Sequence, residues 1–191
     1  NVSVAISDKF EDHKVQQITS QLLVAKGFYE TMANSLTTPK FIDYTSTLSA
    51  NENVEILNPL SQDLSVLRQS MLFSGLESLA YNLNRQNSDL KFFEFGKTYH
   101  QLKKRVEKKH LSLLVTGMEN PESWKNASVH TDFFYFKGII ESLFVRLGMN
   151  EFEVSSTDST IFAEGLTFKM NTKTLVEFGR VAKPILKEFG I

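Results

Sequence analysis

The residues that could do chemistry are few, and most lack the spacing that chemistry needs. His13, His100, His110 and His130 include no His-x-x-x-His or His-Glu-x-x-His arrangement, so no metal site is expected. Gly75, Gly117, Gly138 and Gly148 are isolated, and neither a Gly-x-Gly-x-x-Gly phosphate loop nor a Gly-Lys-Ser/Thr sequence occurs. Ser74-Gly75 and Ser155-Ser156 lack the flanking glycines of a nucleophile elbow. A Ser-His-Asp triad is spatial and stays open at this level. Glu94 lies inside an apolar strand between Phe93 and Phe95 and faces away from both rings. A solvent or interface position is expected for it, since a buried carboxylate would need a cation or a backbone donor. The run Lys103, Lys104, Arg105, Val106, Glu107, Lys108, Lys109, His110 is the one basic concentration. It is expected at a hairpin tip, as a solvated turn that keeps the strand edges soluble or as a reach towards phosphate.

The elements that must position these residues follow from apolar spacing. Val15, Ile18, Leu22, Leu23 and Ala25 predict a first helix stopped at Gly27. Phe28 to Leu36 reads as a strand, Thr38-Pro39 as the cap of a short helix through Tyr44, and Val54 to Leu57 as a second strand closed by Asn58-Pro59. Leu72, Leu76, Leu79, Ala80 and Leu83 share one helical stripe. Lys91–Gln101 and His110–Gly117 form a hairpin across the charged turn Lys103–Lys109. A loop around Pro121 and Trp124 leads to a helix capped by Thr131 or Asp132 and ended by Gly148, with Phe133, Phe136, Ile140, Leu143, Phe144 and Leu147 as its stripe. Strands follow at Glu151–Ser155, Ile161–Met170 and Thr174–Val181, and a closing helix starts near Pro184. Hairpins outnumber crossovers, so the expected class is α+β: a mostly antiparallel sheet flanked by helices, in a single domain over residues 1–191.

Composition narrows the function classes. The 22 acidic and 21 basic residues give a net charge of −1, which supplies no overall field for a polyanion. There is no cysteine, hence no disulfide, thiolate–zinc site or thiol nucleophile, which suits a reducing compartment. No apolar run approaches the roughly 20 residues of a membrane-spanning helix. The 16 Phe predict a core, or an interface, built on aromatic packing. A first residue of Asn rather than Met leads us to expect a piece of a longer chain.

One ordered set of motifs is more specific than any of this. Asn58-Pro59-Leu60-Ser61 through Leu67-Arg68-Gln69-Ser70-Met71-Leu72 resembles the NPLS…LR.SL segment of bacterial phenylalanyl-tRNA synthetase β subunits. Leu76-Glu77, Asn82-Leu83-Asn84-Arg85 and Phe93-Glu94-Phe95-Gly96-Lys97 continue it, as do Gly27-Phe28-Tyr29-Glu30, Thr116-Gly117, Trp124, Asp132-Phe133-Phe134 and Lys137-Gly138. The resemblance implies a class II synthetase-like core domain without an active site. An active class II domain holds the α-phosphate of ATP with an Arg from a Phe-Arg-x-Glu tetrapeptide, where His100 and Leu102 stand here. A second Arg closes a glycine-rich strand-to-helix junction, where Phe178-Gly179-Arg180-Val181-Ala182-Lys183-Pro184 puts Pro184. Neither His nor Pro replaces a bidentate guanidinium. Thr160–Gly165 departs from the His-Pro-Gly-Arg-like segment common in the family, which puts any role of that segment in doubt.

The same resemblance implies partners. The α subunit would carry the chemistry with ATP and magnesium in a cytoplasmic α2β2 enzyme acting on tRNA(Phe), and this domain would hold no cofactor, metal or catalytic residue. Residues Lys14 to Leu36 resemble the class II segment used for subunit association, so an exposed apolar face with Ile18, Leu22 and Val24 is expected there, unless that stripe covers its own sheet. Two rivals stay open: a self-sufficient ATP-dependent ligase, and an RNA-binding module contacting tRNA through Lys103, Lys104, Arg105, Lys108 and Lys109.

Overall fold

A computed structural model describes residues 12–120, 123–125 and 127–191. The expected loop at Pro121 therefore lies outside the described residues, while Trp124 within it is 98% exposed. Helix α1 (Asp12–Ala25) buries Thr19 and Leu23 and stops where Gly27 takes φ 84°, a left-handed turn that lets Phe28 N donate to Leu23 O at 3.0 Å. The strand expected over Phe28–Leu36 is reduced to β1 (Tyr29–Glu30), paired in parallel with the strand at Phe92–Phe93. The ladder ends because Ala33 N donates to the Glu94 carboxylate at 3.3 Å instead of to a strand carbonyl. Further along, β2 (Leu36–Thr37), β3 (Val54–Glu55) and β4 (Val66–Leu67) make a small antiparallel sheet in the order β2-β4-β3. A 3-10 helix at Pro39–Tyr44 is capped by the Thr38 hydroxyl, as its Thr-Pro sequence predicts.

The long hairpin carries the fold. β5 (Leu90–Gln101) and β6 (Arg105–Thr116) pair in unbroken register from Leu90 opposite Thr116 to Gln101 opposite Arg105. The expected charged turn Lys103–Lys109 is therefore mostly strand. Only residues 102–104 turn, because Lys97–Gln101 offer backbone partners to Arg105–Lys109, and Lys97 reaches Glu107 diagonally across the ladder at 2.7 Å.

Period two divides β5 between two cores. Leu90 and Phe92 pack with α2 (Leu72–Leu83), Phe41, Phe73 and Ile185, while Phe93 packs with Leu23, Phe28, Ile139 and Leu143. The side chains Ile139 and Leu143 belong to α3 (Phe133–Arg146), which Asp132 caps by accepting from Tyr135 N at 2.7 Å. The other face of α3 covers a third sheet, β7 (Glu153–Ser156), β8 (Phe162–Met170) and β9 (Lys173–Val181), through Ile140, Phe144, Phe168 and Phe178. Many of the phenylalanines meet each other, as the composition leads one to expect. Phe168 touches the rings of Phe144, Phe152 and Phe178 at 5.7, 4.6 and 5.1 Å. Helix α4 (Lys183–Glu188) closes the chain with Pro184 in its first turn.

Candidate functional site

The LR and FEFG motifs meet in one buried ion pair. Strand β4 delivers Arg68 to the face of β5 that α2 covers. Its backbone is fixed from both sides, since Arg68 N donates to Ser35 O and Tyr99 N donates to Arg68 O, each at 2.9 Å. The guanidinium donates from Nε to Lys97 O at 3.1 Å, from Nη1 to Ser74 Oγ at 3.3 Å and from Nη2 to Glu94 Oε1 at 2.8 Å. Arg68 is 3% exposed and Glu94 5%. The expected solvent or interface position of Glu94 is thus corrected. Its face is the one opposite Phe93 and Phe95, as period two requires, but Arg68 and α2 cover that face. Gly96 makes the room: a methyl there would overlap Arg68 Nη2 and stand 2.5 Å from Met71 Cε. Beside the pair, Gln69 Nε2 donates to Ser49 O at 2.7 Å and to Asn53 Oδ1 at 2.6 Å, clamping the preceding loop.

The rest of that face is also committed to internal bonds. His100 Nδ1 meets Glu52 Oε2 at 2.8 Å, and His110 Nε2 shares a hydrogen bond of 2.9 Å with Thr98 Oγ1. Partial burial, helped by the nearby charges of Lys108, His100 and Arg68, holds the His110 imidazole below its ordinary pKa. At the strand-to-helix junction, Arg180 Nε approaches Glu164 Oε1 at 3.4 Å on an exposed surface, and Pro184 opens α4. None of the other arginines is aimed at this face: Arg85 lies 3.4 Å over the Tyr81 ring, Arg105 donates to Gln101, and Arg146 ends α3. Thr160, in the segment that departs from the family pattern, shares hydrogen bonds of 3.0 Å with Thr45 and 3.1 Å with Ser46, tying β8 to the end of the 3-10 helix. Among the described residues, no three His, Asp or Glu side chains gather as metal ligands would.

The residues expected at an interface are not one patch. Ile18 and Leu22 are half-buried, and Leu22 packs against the core of Leu23 and Phe93, whereas Val24 is 59% exposed. At about 100° per residue, Val24 lies some 200° around the helix from Leu22. Sequence reasoning missed two exposed apolar side chains just beyond the helix, Tyr29 at 70% and Met32 at 94%. Of the basic set, Lys103 and Lys104 occupy the turn, while Arg105, Lys108 and Lys109 stand on β6, with Lys109 paired to Asp12.

A family model described as the phenylalanyl tRNA synthetase beta chain CLM domain matches residues 1–191. The chain belongs to this family. CLM-domain relatives include the phenylalanine–tRNA ligase β subunit of Bacteroides fragilis, 40% identical over 95% of this chain, and that of Streptococcus pneumoniae, 30% identical over 93%. The CLM-domain chain spans about a quarter of those relatives, 24% and 23% of their lengths. A solved structure, PylSc, a pyrrolysyl tRNA synthetase from Desulfitobacterium hafniense, superposes over 94% of the chain and 62% of its own, with a TM-score of 0.68 at 15% identity. The CLM-domain fold is therefore that of a class II synthetase, the α+β architecture with mostly antiparallel sheets expected from sequence. The Arg68–Glu94 pair is the CLM-domain feature that sequence reasoning did not find. Its signal was present as two lone charges, one in the run Val66-Leu67-Arg68 and one between Phe93 and Phe95.

Proposed function

We propose that the chain is the single, non-catalytic core and subunit-association domain of a phenylalanine–tRNA ligase β subunit. It supports the ATP-dependent attachment of phenylalanine to tRNA by a companion α subunit, in a cytoplasmic α2β2 enzyme. Adenylate formation needs fixed guanidinium groups pointing at phosphate oxygens. The observation that carries the reading is the fate of Arg68, the one buried arginine: all three of its nitrogens donate to protein oxygens. A triphosphate entering there would have to break a buried ion pair. ATP and magnesium accordingly belong to the α subunit in this reading.

Exposed apolar side chains support association. One side of a standard interface covers about 800 Å². Val24, Tyr29 and Met32 supply exposed apolar side chains for such a surface. The test is co-purification of the full β chain with its α subunit after Met32→Lys and Val24→Lys: assembly should fall while the fold is kept. Undiminished assembly would remove the association role from this segment.

A second reading, tRNA contact through the hairpin end, is favoured by the exposed Lys103, Lys104 and Lys108 and disfavoured by the pairing of Lys97 with Glu107 and Lys109 with Asp12. Tight tRNA binding with a steep salt dependence by this chain alone would promote it.

A further inference from the structure

The end of the β5–β6 hairpin gathers basic groups on the face that Glu94 shares. Period two puts Thr98 and His100 of β5 on one face with Lys108 and His110 of β6, Thr98 directly opposite Lys108 and Gly96 opposite His110. Arg68 lies behind them, over Gly96. The His110 imidazole registers their field: after burial, the charges of Lys108, His100 and Arg68 hold its pKa down. Two carboxylates face these groups. Glu94 is buried on Arg68 at 2.8 Å. Glu52 arrives from the 3-10 turn Ala50–Glu52 and meets His100 Nδ1 at 2.8 Å, its side chain 38% exposed against 16% for His100. Lys108 is exposed, and among the described residues no ion pair or hydrogen bond holds its ammonium.

We infer that Glu52 is the resident anion in a site for a phosphate dianion, formed by Lys108, His100 and the Thr98–His110 pair, and that phosphate enters as the Glu52 side chain swings out. The carboxylate can leave without its backbone. Gln69 holds the turn through Ser49 O and Asn53 Oδ1 at 2.7 and 2.6 Å, and Asn53 N donates to Ala50 O. Glu52 reaches His100 but leaves the Lys108 ammonium unused. Diagonal neighbours across an antiparallel ladder stand about 7–8 Å apart, within reach of a lysine, so one phosphate can accept from Lys108 and His100 together. Thr98 adds a third donor. When His110 Nε2 donates to Thr98 Oγ1, the hydroxyl hydrogen is free for the anion. A backbone phosphodiester would bring one charge and two bulky esters to a recessed histidine, so the site suits a free phosphate or a terminal phosphomonoester. A tethered carboxylate competes at an effective concentration in the millimolar range, which masks the site until phosphate exceeds it.

The experiment titrates the complete β chain with inorganic phosphate at constant ionic strength, and separately with AMP, which carries a terminal phosphomonoester. Ethoxyformylation of His100 and His110, read by mass spectrometry of their peptides, reports occupancy. Phosphate should slow the labelling of both, with half-protection at a concentration at least tenfold lower in Glu52→Ala than in wild type. Adding Lys108→Gln to Glu52→Ala should cancel that gain. Protection by AMP at lower concentration than by phosphate assigns the site to a nucleotide's phosphate, and equal or weaker protection assigns it to the free ion. No protection by either titrant, half-protection of Glu52→Ala within twofold of wild type, or a gain that survives Lys108→Gln overturns the inference, with circular dichroism confirming that each variant is folded.

Discussion

Replacing Glu94 by leucine isolates the interaction around which the two motifs are built. The substitution removes the 2.8 Å bond to Arg68 Nη2 and the 3.3 Å bond to Ala33 N, and leaves a guanidinium that is 3% exposed without its counter-charge. Breaking one side of a buried pair costs about 3–5 kcal/mol, a large part of the roughly 5–15 kcal/mol that a domain possesses. With a urea slope near 2–3 kcal/mol per molar, the unfolding midpoint should fall by about 1–2.5 M. Arg68→Met alone should cost a similar amount by leaving the carboxylate unpaired. The double variant should cost much less than the sum, about 1–3 kcal/mol, because only the Lys97 carbonyl and the Ala33 N–H then lack partners. The assay is urea unfolding followed by circular dichroism on the four members of the cycle. A Glu94→Leu midpoint within ~0.3 M of wild type, or a double variant at the additive value, would show that Arg68 and Glu94 are not energetically coupled.

Other outcomes follow from the same contacts. Gly96→Ala should destabilise by about 1–3 kcal/mol, read in the same urea titration, since the new methyl displaces Arg68 or Met71. Leu22→Lys should lower thermal stability by about 2 kcal/mol or more, because it charges a side chain packed on the core. Val24→Lys should stay within about 0.5 kcal/mol of wild type in the same thermal scan. His110 has a folded pKa below its ordinary 6.5, so the unfolded chain binds more protons between the two values. Its contribution to stability is full above pH 6.5 and is lost as pH falls towards the folded pKa, and His110→Gln should flatten that part of the stability–pH curve. Glu77 shifts the other way, upward from 4.5, so Glu77→Gln should leave the free chain slightly more stable above that pH than wild type.

Much of the fold was legible because short-range rules decide it. The Asp132 cap, the Thr38-Pro39 start and the stops at Gly27 and Gly148 are local chemistry, and the structure has each of them. The side of β5 that Glu94 faces was legible from period two, but what covers that side was not. The cover arrives from β4, 26 residues earlier in the chain, and no local pattern encodes such a pairing. The hairpin end was misread for a related reason. A run of like charges suggests a turn, yet the partner strand's free backbone groups and the Lys97–Glu107 pair extend the ladder through it. The proposed association face was harder still. Apolar residues on α1 serve both its own core and the surface, and only the three-dimensional packing separates Leu22 from Val24.

The most direct test of the central claim is phenylalanine-dependent ATP–pyrophosphate exchange, measured on this chain alone and on the co-expressed α and β subunits. Exchange is expected from the pair and none from the chain alone, because the chain's one buried guanidinium already serves Lys97, Ser74 and Glu94. Exchange by the chain alone, abolished by Arg68→Met in protein that remains folded, would show that this arginine meets phosphate and would contradict the account.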